Sequence, residues 1–194
     1  MSRTLVTALA LGLSLPAGAV PRGAQPAATS DAPCEAPRDA TLRGSDGEAV
    51  RLSRWWGKPV ILFYEDRHSL KVNQPLKDAL FARGRAAGVL KAASLVAVAN
   101  LQSFNFFPAR GIALSYVRDA EKKSGIPILV DLEGTLAEGE WGLPPKTSSV
   151  LLLNRYGTEV FRASGPLTAP ETEQFFSVLG SLLGRDLTAQ GAAP

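Results

Sequence analysis

The chain has 194 residues, of which 45% are hydrophobic, so it is long enough for one ordinary globular domain with additional segments at its ends. Its formal net charge is +3, and the 21 Lys and Arg residues are scattered among 18 Asp and Glu residues. This mild and dispersed charge lacks the basic stripe of a nucleic-acid-binding protein, so we expect no nucleic-acid partner.

The first 19 residues have the layout of a secretory signal peptide. The basic residue Arg3 precedes an apolar stretch from Leu5 to Leu15, and Ala17 and Ala19 form an A-x-A cleavage site. The apolar stretch is shorter than the roughly 18 residues that a membrane-spanning helix needs. We therefore expect a periplasmic protein that is cleaved after about Ala19 and has no stable membrane insertion afterwards.

Composition divides the rest of the chain into three parts. Residues 20–37 are rich in Pro and Ala and have little to bury, which predicts a flexible leader. Residues 38–184 are predicted to form one domain, and residues 185–194 a flexible tail. The chain has one cysteine, Cys34 in the leader, so an internal disulfide is excluded.

The first half of the domain alternates between predicted strands and helices. The pair Asp46 and Gly47 predicts a turn between two short strands. Residues 59–65 form a continuous apolar run with β-branched and aromatic residues, as in a strand buried on both faces. The next segment has four apolar residues at helical spacing: Leu70, Leu76, Leu80 and Phe81. Pro75 is expected to kink this helix.

The middle of the domain repeats the alternation. Residues 94–100 and 126–131 are predicted strands, and the helix between them is predicted over residues 110–125. Its apolar face is expected to carry Ile112, Tyr116 and Val117.

The last part of the domain predicts a hairpin and a closing helix. Residues 148–165 contain two strands around a tight turn that ends at Gly157. Thr168 and Glu171 form a capping box, and Gly184 ends the helix. The order strand, helix, strand, helix, strand, hairpin, helix predicts an α/β sandwich with a mixed sheet and helices on both faces.

Three segments carry a family resemblance: LRGSDGEAVRLSRWWGKPVILFYE, IPILVDLEGTLAEGEWGL and SSVLLLNRYGTEVFRASGPLT. Their order and spacing resemble the peroxiredoxin and thiol-disulfide oxidoreductase branch of the thioredoxin-like superfamily. Within it they are most similar to the YtfJ-like family of exported bacterial proteins. The resemblance covers nearly all of residues 40–184 and implies a thioredoxin-like three-layer sandwich with a mixed central sheet.

The same resemblance implies a fold without its usual chemistry. In the superfamily a thiolate lies at the start of the helix after the central strand, where the helix dipole lowers its pKa, and a cis-proline lies opposite. Here the thiol position falls on Arg67, His68 or Ser69, and the cis-proline position falls near Ser148. We therefore expect a degenerate, redox-inactive site with no cofactor. A non-catalytic binding or accessory role follows, with a periplasmic protein as the expected partner.

The residues of this turn have several interpretations. Arg67 at a helix N-terminus would bind a carboxylate or phosphate, unless it is an ordinary solvated arginine. Ser69 would be the helix N-cap, or else a nucleophile with His68 as its base. His68 with Glu65 and Asp66 is too small a set for zinc, so we expect no metal and an exposed turn histidine.

Cys34 supports the alternative function, a thiol-dependent oxidoreductase or peroxidase. The thiol would act alone or across a dimer, or it would fold back to the turn at residues 67–69. A Cys34-linked dimer without activity is the other expectation.

Aromatic residues mark two further segments. Phe104, Phe106 and Phe107 would either cover an edge of the core or form an exposed patch for a partner. Trp55 and Trp56 pose the same choice, and we expect one of the two to be buried.

Overall fold

The computed structural model describes residues 37–188, whose seven strands form one mixed sheet. The strands are β1 (Thr41–Arg43), β2 (Ala49–Arg51), β3 (Val60–Glu65), β4 (Ser94–Asn100), β5 (Ile128–Asp131), β6 (Ser149–Leu153) and β7 (Glu159–Ser164). Their order across the sheet is β2-β1-β5-β4-β3-β6-β7. The pairs β3–β4 and β4–β5 are parallel and the other pairs are antiparallel, so the predicted mixed sheet is confirmed.

Four α-helices accompany the strands in this part of the chain. They are α1 (Gln74–Ala87), α2 (Val89–Ala92), α3 (Ala109–Ser124) and α4 (Ala169–Leu183). No helix of residues 37–188 is long and apolar enough to cross a membrane. The predicted signal peptide, Cys34 and nearly all of the predicted leader lie outside the described residues.

Strand β3 anchors both halves of the hydrophobic core. All six of its residues are buried. Because side chains alternate along a strand, Val60, Leu62 and Tyr64 enter one apolar cluster while Ile61 and Phe63 enter another. The strand predicted to be buried on both faces is therefore confirmed.

The three long helices pack on the face of the sheet that carries Phe63. Helices α1 and α4 pack against the apolar cluster that contains Ile61 and Phe63, and α3 packs through Val117 against Val130 of β5. The crossovers β3-α1-β4 and β4-α3-β5 step in the same direction along the sheet. Since such crossovers are right-handed, both helices are placed on the same face.

Helices were predicted on both faces of the sheet, but the opposite face is covered by shorter, less regular elements. It is closed by the 3-10 helix Leu52–Trp55 and by the irregular segment 132–148, from which Leu136, Trp141 and Leu143 enter the core. The α/β sandwich is confirmed, but none of the four α-helices contributes to this cluster.

Helix α1 begins later than its apolar spacing predicted. Its first residue is Gln74, so Pro75 lies in the first turn, where its missing N–H would have no helical partner in any case. The expected kink at Pro75 was wrong. Leu76 and Leu80 are buried as predicted, whereas Leu70 precedes the helix and is 51% exposed, and Phe81 is also exposed.

The apolar face predicted for α3 is only partly correct. Val117 is buried, but Ile112 is 57% exposed and Tyr116 is 72% exposed. The helix therefore contacts the sheet along a narrow edge and leaves large apolar side chains in solvent.

The two tryptophans are both half-buried, so the expectation that one would be buried was wrong. Trp56 lies against Gly157 in the β6–β7 turn. The position of this turn is confirmed as predicted. Gly157 has φ +86°, and a Cβ there would overlap the Trp56 ring, so only glycine meets both requirements.

The domain continues beyond Gly184. The capping box of Thr168 and Glu171 is confirmed at the start of α4. After the helix, the Arg185 N–H donates to the Gly180 carbonyl at 2.9 Å, and Leu187 is buried in the core with α1 and α4. The prediction of a flexible tail from residue 185 was wrong for residues 185–187.

We expect Gly180→Ala to destabilise the protein. A Cβ at this buried position would overlap the backbone carbonyl oxygen of Arg185, which cannot rotate away. The free energy of unfolding, measured by urea denaturation, should fall by about 1–3 kcal/mol.

Gly111→Ala is the matched control, because Gly111 is also helical and a Cβ there has no neighbour within 4 Å. This change should be neutral or stabilise by up to about 1 kcal/mol. Equal losses at the two positions would contradict the packing of residues 185–187 against α4.

Candidate functional site

The turn after β3 is organised by the side chain of Asp66. One of its carboxylate oxygens accepts hydrogen bonds from the His68 N–H, the Ser69 N–H and the Ser69 hydroxyl, each at 2.9 Å. Aspartate often bonds the backbone two or three residues ahead in this way and holds the chain in a turn. The chain therefore does not enter a helix directly after the strand.

This turn changes the expected roles of Arg67 and Ser69. Asn73, not Ser69, occupies the N-cap position of α1. The N-cap prediction for Ser69 was wrong, because its side chain is 1% exposed and bonded to Asp66. Arg67 is likewise not at a helix N-terminus, so the anion-binding argument based on helix N–H groups does not apply to it.

His68 and Ser69 do not form a nucleophile and base pair. The His68 Nε2 atom accepts a hydrogen bond from the Arg67 Nε–H at 2.9 Å, and the imidazole is exposed, as predicted. The Ser69 hydroxyl is buried and directed at Asp66. Hydrolysis centred on Ser69 therefore has neither an accessible oxygen nor an imidazole beside it.

The acidic neighbours of His68 point away from one another. Glu65 is engaged beneath the turn and Asp66 within it. Within residues 37–188 no three His, Cys, Asp or Glu side chains are grouped as metal ligands.

A buried polar network lies beneath the turn. Glu65, 6% exposed, accepts a hydrogen bond from the Lys77 Nζ at 2.6 Å and another from the Ser148 hydroxyl at 2.8 Å. Asn73 donates to the Ser148 Oγ at 2.9 Å and to a carbonyl in the β7–α4 connection at 3.0 Å. Its own oxygen accepts an N–H from the same connection at 2.9 Å. Ser148 is thus a buried structural side chain that holds β3, α1 and the start of β6 together.

Tyr64 and Asp131 make a second polar contact on the opposite face of the sheet. The Tyr64 hydroxyl donates to Asp131 at 3.3 Å, and Asp131 also accepts the N–H groups of Thr135 and Leu136 at 2.7 and 2.9 Å. Burial, reinforced by the Asp131 charge, raises the pKa of Tyr64 well above its usual range, so the phenol stays a neutral donor. This pair closes the turn after β5.

Arg67 and the phenylalanine-rich loop form one surface. The Arg67 guanidinium carbon lies 5.4 Å from the centre of the Phe104 ring, within the range of a cation–π contact. Phe104 is half-buried, whereas Phe106 and Phe107 are exposed, the latter by 95%. Both alternatives that the sequence left open, a cover for the core edge and an exposed patch, are therefore present. Phe104 packs on the domain edge, and the Phe106 and Phe107 rings face solvent.

Two cavities open on this surface and share Asp66, Arg67, Asn100 and Phe104 in their walls. The polar cavity has a volume of about 290 Å³ and is also lined by His68, Gln102, Ser103 and Lys146. The apolar cavity has a volume of about 660 Å³ and lies between α3 and the sheet. Sequence reasoning missed Lys146, because it lies in the irregular segment 132–148, and missed the cavity, because Ile112 and Tyr116 were assigned to the core.

Comparison with known proteins supports the fold alone. No family model and no curated protein matches the chain. Solved structures that do match include a proposed thiol:disulfide interchange protein DsbE from Chlorobium tepidum, with 20% identity, 76% of this chain and 96% of that chain covered, and a TM-score of 0.52. The fold is thioredoxin-like.

Two further structures give the same result. A proposed protein disulfide isomerase from Bacteroides thetaiotaomicron is 17% identical, with 78% of this chain and 89% of that chain covered and a TM-score of 0.54. The exposed lipoprotein thioredoxin Etrx1 from Streptococcus pneumoniae is 19% identical, with 73% and 98% covered and a TM-score of 0.50. Within this thioredoxin-like fold, residues 66–73 contain no cysteine.

We expect Asn73→Ala to destabilise the domain. The change leaves a carbonyl and an N–H of the partly buried β7–α4 connection without their side-chain partner, and it removes a donor from the buried Ser148 hydroxyl. Each lost hydrogen bond costs about 0.5–1.5 kcal/mol, so urea denaturation should show a loss of about 2–4 kcal/mol.

Asn105→Ala is the matched control, because Asn105 is exposed and its side chain makes one hydrogen bond, to the Leu132 carbonyl at 3.1 Å. It should cost less than about 1 kcal/mol. A loss at Asn73 no larger than the loss at Asn105 would contradict a structural role for the buried network.

Proposed function

We propose that the chain is an exported thioredoxin-fold protein of the YtfJ-like type, with a binding or accessory role in the periplasm and no thiol chemistry in the turn after β3. The observation that carries the proposal is the state of the positions at which the resemblance places the thiol and the cis-proline. Ser69 and Ser148 are buried there, and both hydroxyls are hydrogen-bonded to carboxylates.

The electrostatics of the turn support this proposal. A reactive thiolate is stabilised by free N–H groups at a helix start. In this turn the N–H groups of His68 and Ser69 already donate to the Asp66 carboxylate, and α1 begins only at Gln74. A negative charge at this place raises the pKa of a nearby thiol and disfavours its reactive form.

Exposed side chains beside the turn support a binding role. The exposed side chains of Arg67 and His68 line the cavities. Phe106 and Phe107 are exposed on the loop that precedes α3. Exposed aromatic and arginine side chains of this kind are enriched where proteins bind partners.

The alternative function is a thiol-dependent oxidoreductase or peroxidase that acts through Cys34, alone, across a dimer or folded back to the turn at residues 67–69. Cys34 lies outside the described residues, so a thiol assay with a Cys34→Ser variant separates this alternative from the proposal.

We expect neither the purified protein nor its Cys34→Ser variant to reduce disulfides or consume peroxide above the rate without protein. The reason is that the turn holds no thiol and disfavours a thiolate. A thiol-disulfide oxidoreductase assayed in parallel is the positive control. Turnover that disappears in Cys34→Ser would overturn the proposal and make Cys34 the active centre.

Export is tested by the mass of the protein from a periplasmic fraction. We expect a chain of residues 20–194, because the small residues Ala17 and Ala19 suit signal peptidase. Ala19→Leu should accumulate the uncleaved precursor, and Ala28→Leu, outside the cleavage site, should not. A full-length chain recovered from the cytoplasm alone would contradict export.

A further inference from the structure

The apolar cavity exists because small side chains line it from both sides. Ala97 and Ala99 of β4 lie on one side, and Ala109, Ala113 and Ala120 of α3 lie on the other. Larger residues at these positions would fill the space between the helix and the sheet. The remaining volume of about 660 Å³ lies within the range of small-molecule binding sites.

Large apolar side chains form the rim of this cavity and are exposed. Leu70, Ile112 and Tyr116 are 51%, 57% and 72% exposed, and all three line the opening. Their exposure to water is unfavourable, and a cluster of this kind indicates a surface that is covered when the protein acts.

Two cationic side chains, Arg67 and Lys146, lie at the end of the apolar cavity that adjoins the polar cavity. The Glu65 carboxylate is paired with Lys77 at 2.6 Å, and the Asp66 carboxylate, which lines both cavities, accepts the N–H groups of His68 and Ser69. Arg67 lines both cavities, and Lys146 lines the polar one. Apart from the Nε bond to His68, the Arg67 guanidinium has no hydrogen-bond partner among residues 37–188. Its terminal nitrogens are therefore available to a carboxylate in two-point fashion.

The positions of the polar side chains around the apolar cavity indicate which kind of ligand would bind there. Apart from the Tyr116 hydroxyl, polar side chains line the apolar cavity only at the end near Arg67. The wall along α3 is made of Ala, Val, Ile and Tyr side chains. An extended peptide would bury backbone amide groups along this wall without partners, which is costly. A molecule with one charged head and a long apolar tail leaves no polar group unpaired.

We propose that the two joined cavities bind a long-chain fatty carboxylate. Its head group lies against Arg67 and near Lys146, and its chain runs along α3 past Ile112 and Tyr116. The stretch of α3 from Ile112 to Ala120 is about 12 Å long, a length suited to an extended acyl chain. This inference rests on the proposed binding function and names its ligand class.

The first test is a calorimetric titration of the purified protein with dodecanoate below its micellar concentration. We expect saturable binding of one molecule per chain, tightening about 3–4-fold for each added methylene until the cavity is full. Methyl dodecanoate, which has no charge, should bind at least about 10-fold more weakly, because it lacks the charge-assisted hydrogen bonds.

The Arg67→Gln variant separates the contribution of the carboxylate head group to the affinity from that of the acyl chain. It should weaken dodecanoate about 10-fold and leave methyl dodecanoate unchanged. Arg85→Gln, on an exposed residue of α1 outside both cavities, is the matched control and should change neither affinity. Equal affinities for acid and ester, or an Arg67→Gln protein that binds like the wild type, would overturn the proposal.

Ala113→Leu tests the cavity by filling it and should abolish binding of acid and ester alike. Ala82→Leu, on the exposed side of α1, is its control. Because Ala113→Leu could disturb packing, Ile112→Ser provides a second variant at an exposed rim position and should weaken both ligands several-fold. Binding that survives these changes would place the ligand elsewhere and overturn the proposal.

Sedimentation of the same variants tests the other occupant, a second copy of the chain. A dimer that Ile112→Ser dissociates, together with no binding of dodecanoate, would show that the cavity is a subunit interface and overturn the proposal. None of these outcomes bears on the thiol assay, so failure of the ligand class and failure of the redox-inactive role are distinguishable.

Discussion

The partly buried ion pair between Glu65 and Lys77 is the interaction on which the candidate site depends. A carboxylate at the end of an apolar strand would be strongly unfavourable without partners. Glu65 obtains them from α1 through Lys77, at 2.6 Å, and from the start of β6 through Ser148, at 2.8 Å. One charged side chain thereby fixes the position of α1 relative to the centre of the sheet, and Asn73 extends the same network to the β7–α4 connection.

The Asp66 turn rests on this network and determines what faces solvent. Its carboxylate holds the N–H groups of His68 and Ser69, so Ser69 points inward while the Arg67 and His68 side chains point outward. Arg67 then meets the Phe104 ring. A surface with exposed cationic and aromatic groups therefore stands on a buried polar base.

Local signals made much of the fold predictable. The apolar run of β3, the capping box at Thr168, and the turns at Gly47 and Gly157 are each specified by a few adjacent residues, and the structure has them where predicted. Spacing alone could not show which part of a helix the sheet covers. Leu70, Ile112 and Tyr116 were assigned to the core because they recur at helical intervals, yet all three are exposed.

The site was predictable only in pieces. Arg67, His68 and the phenylalanine-rich loop were named from the sequence, but their contact depends on where β3 and β4 end side by side in the sheet. The network of Glu65, Asn73 and Ser148 joins residues more than 70 positions apart, so no local pattern reveals it. The sequence predicts Ser69 at a helix start, but its bonds to the Asp66 carboxylate hold the chain in a turn instead.

The irregular segment 132–148 contributes side chains both to the hydrophobic core and to the candidate site. Leu136, Trp141 and Leu143 close one face of the core, while Lys146 lines the polar cavity and Ser148 joins the buried network. Loosening this segment would expose core side chains to water, so its conformation is held by the stability of the whole domain. A ligand near Lys146 would then meet a backbone that is already ordered, and little backbone conformational entropy would be lost there on binding.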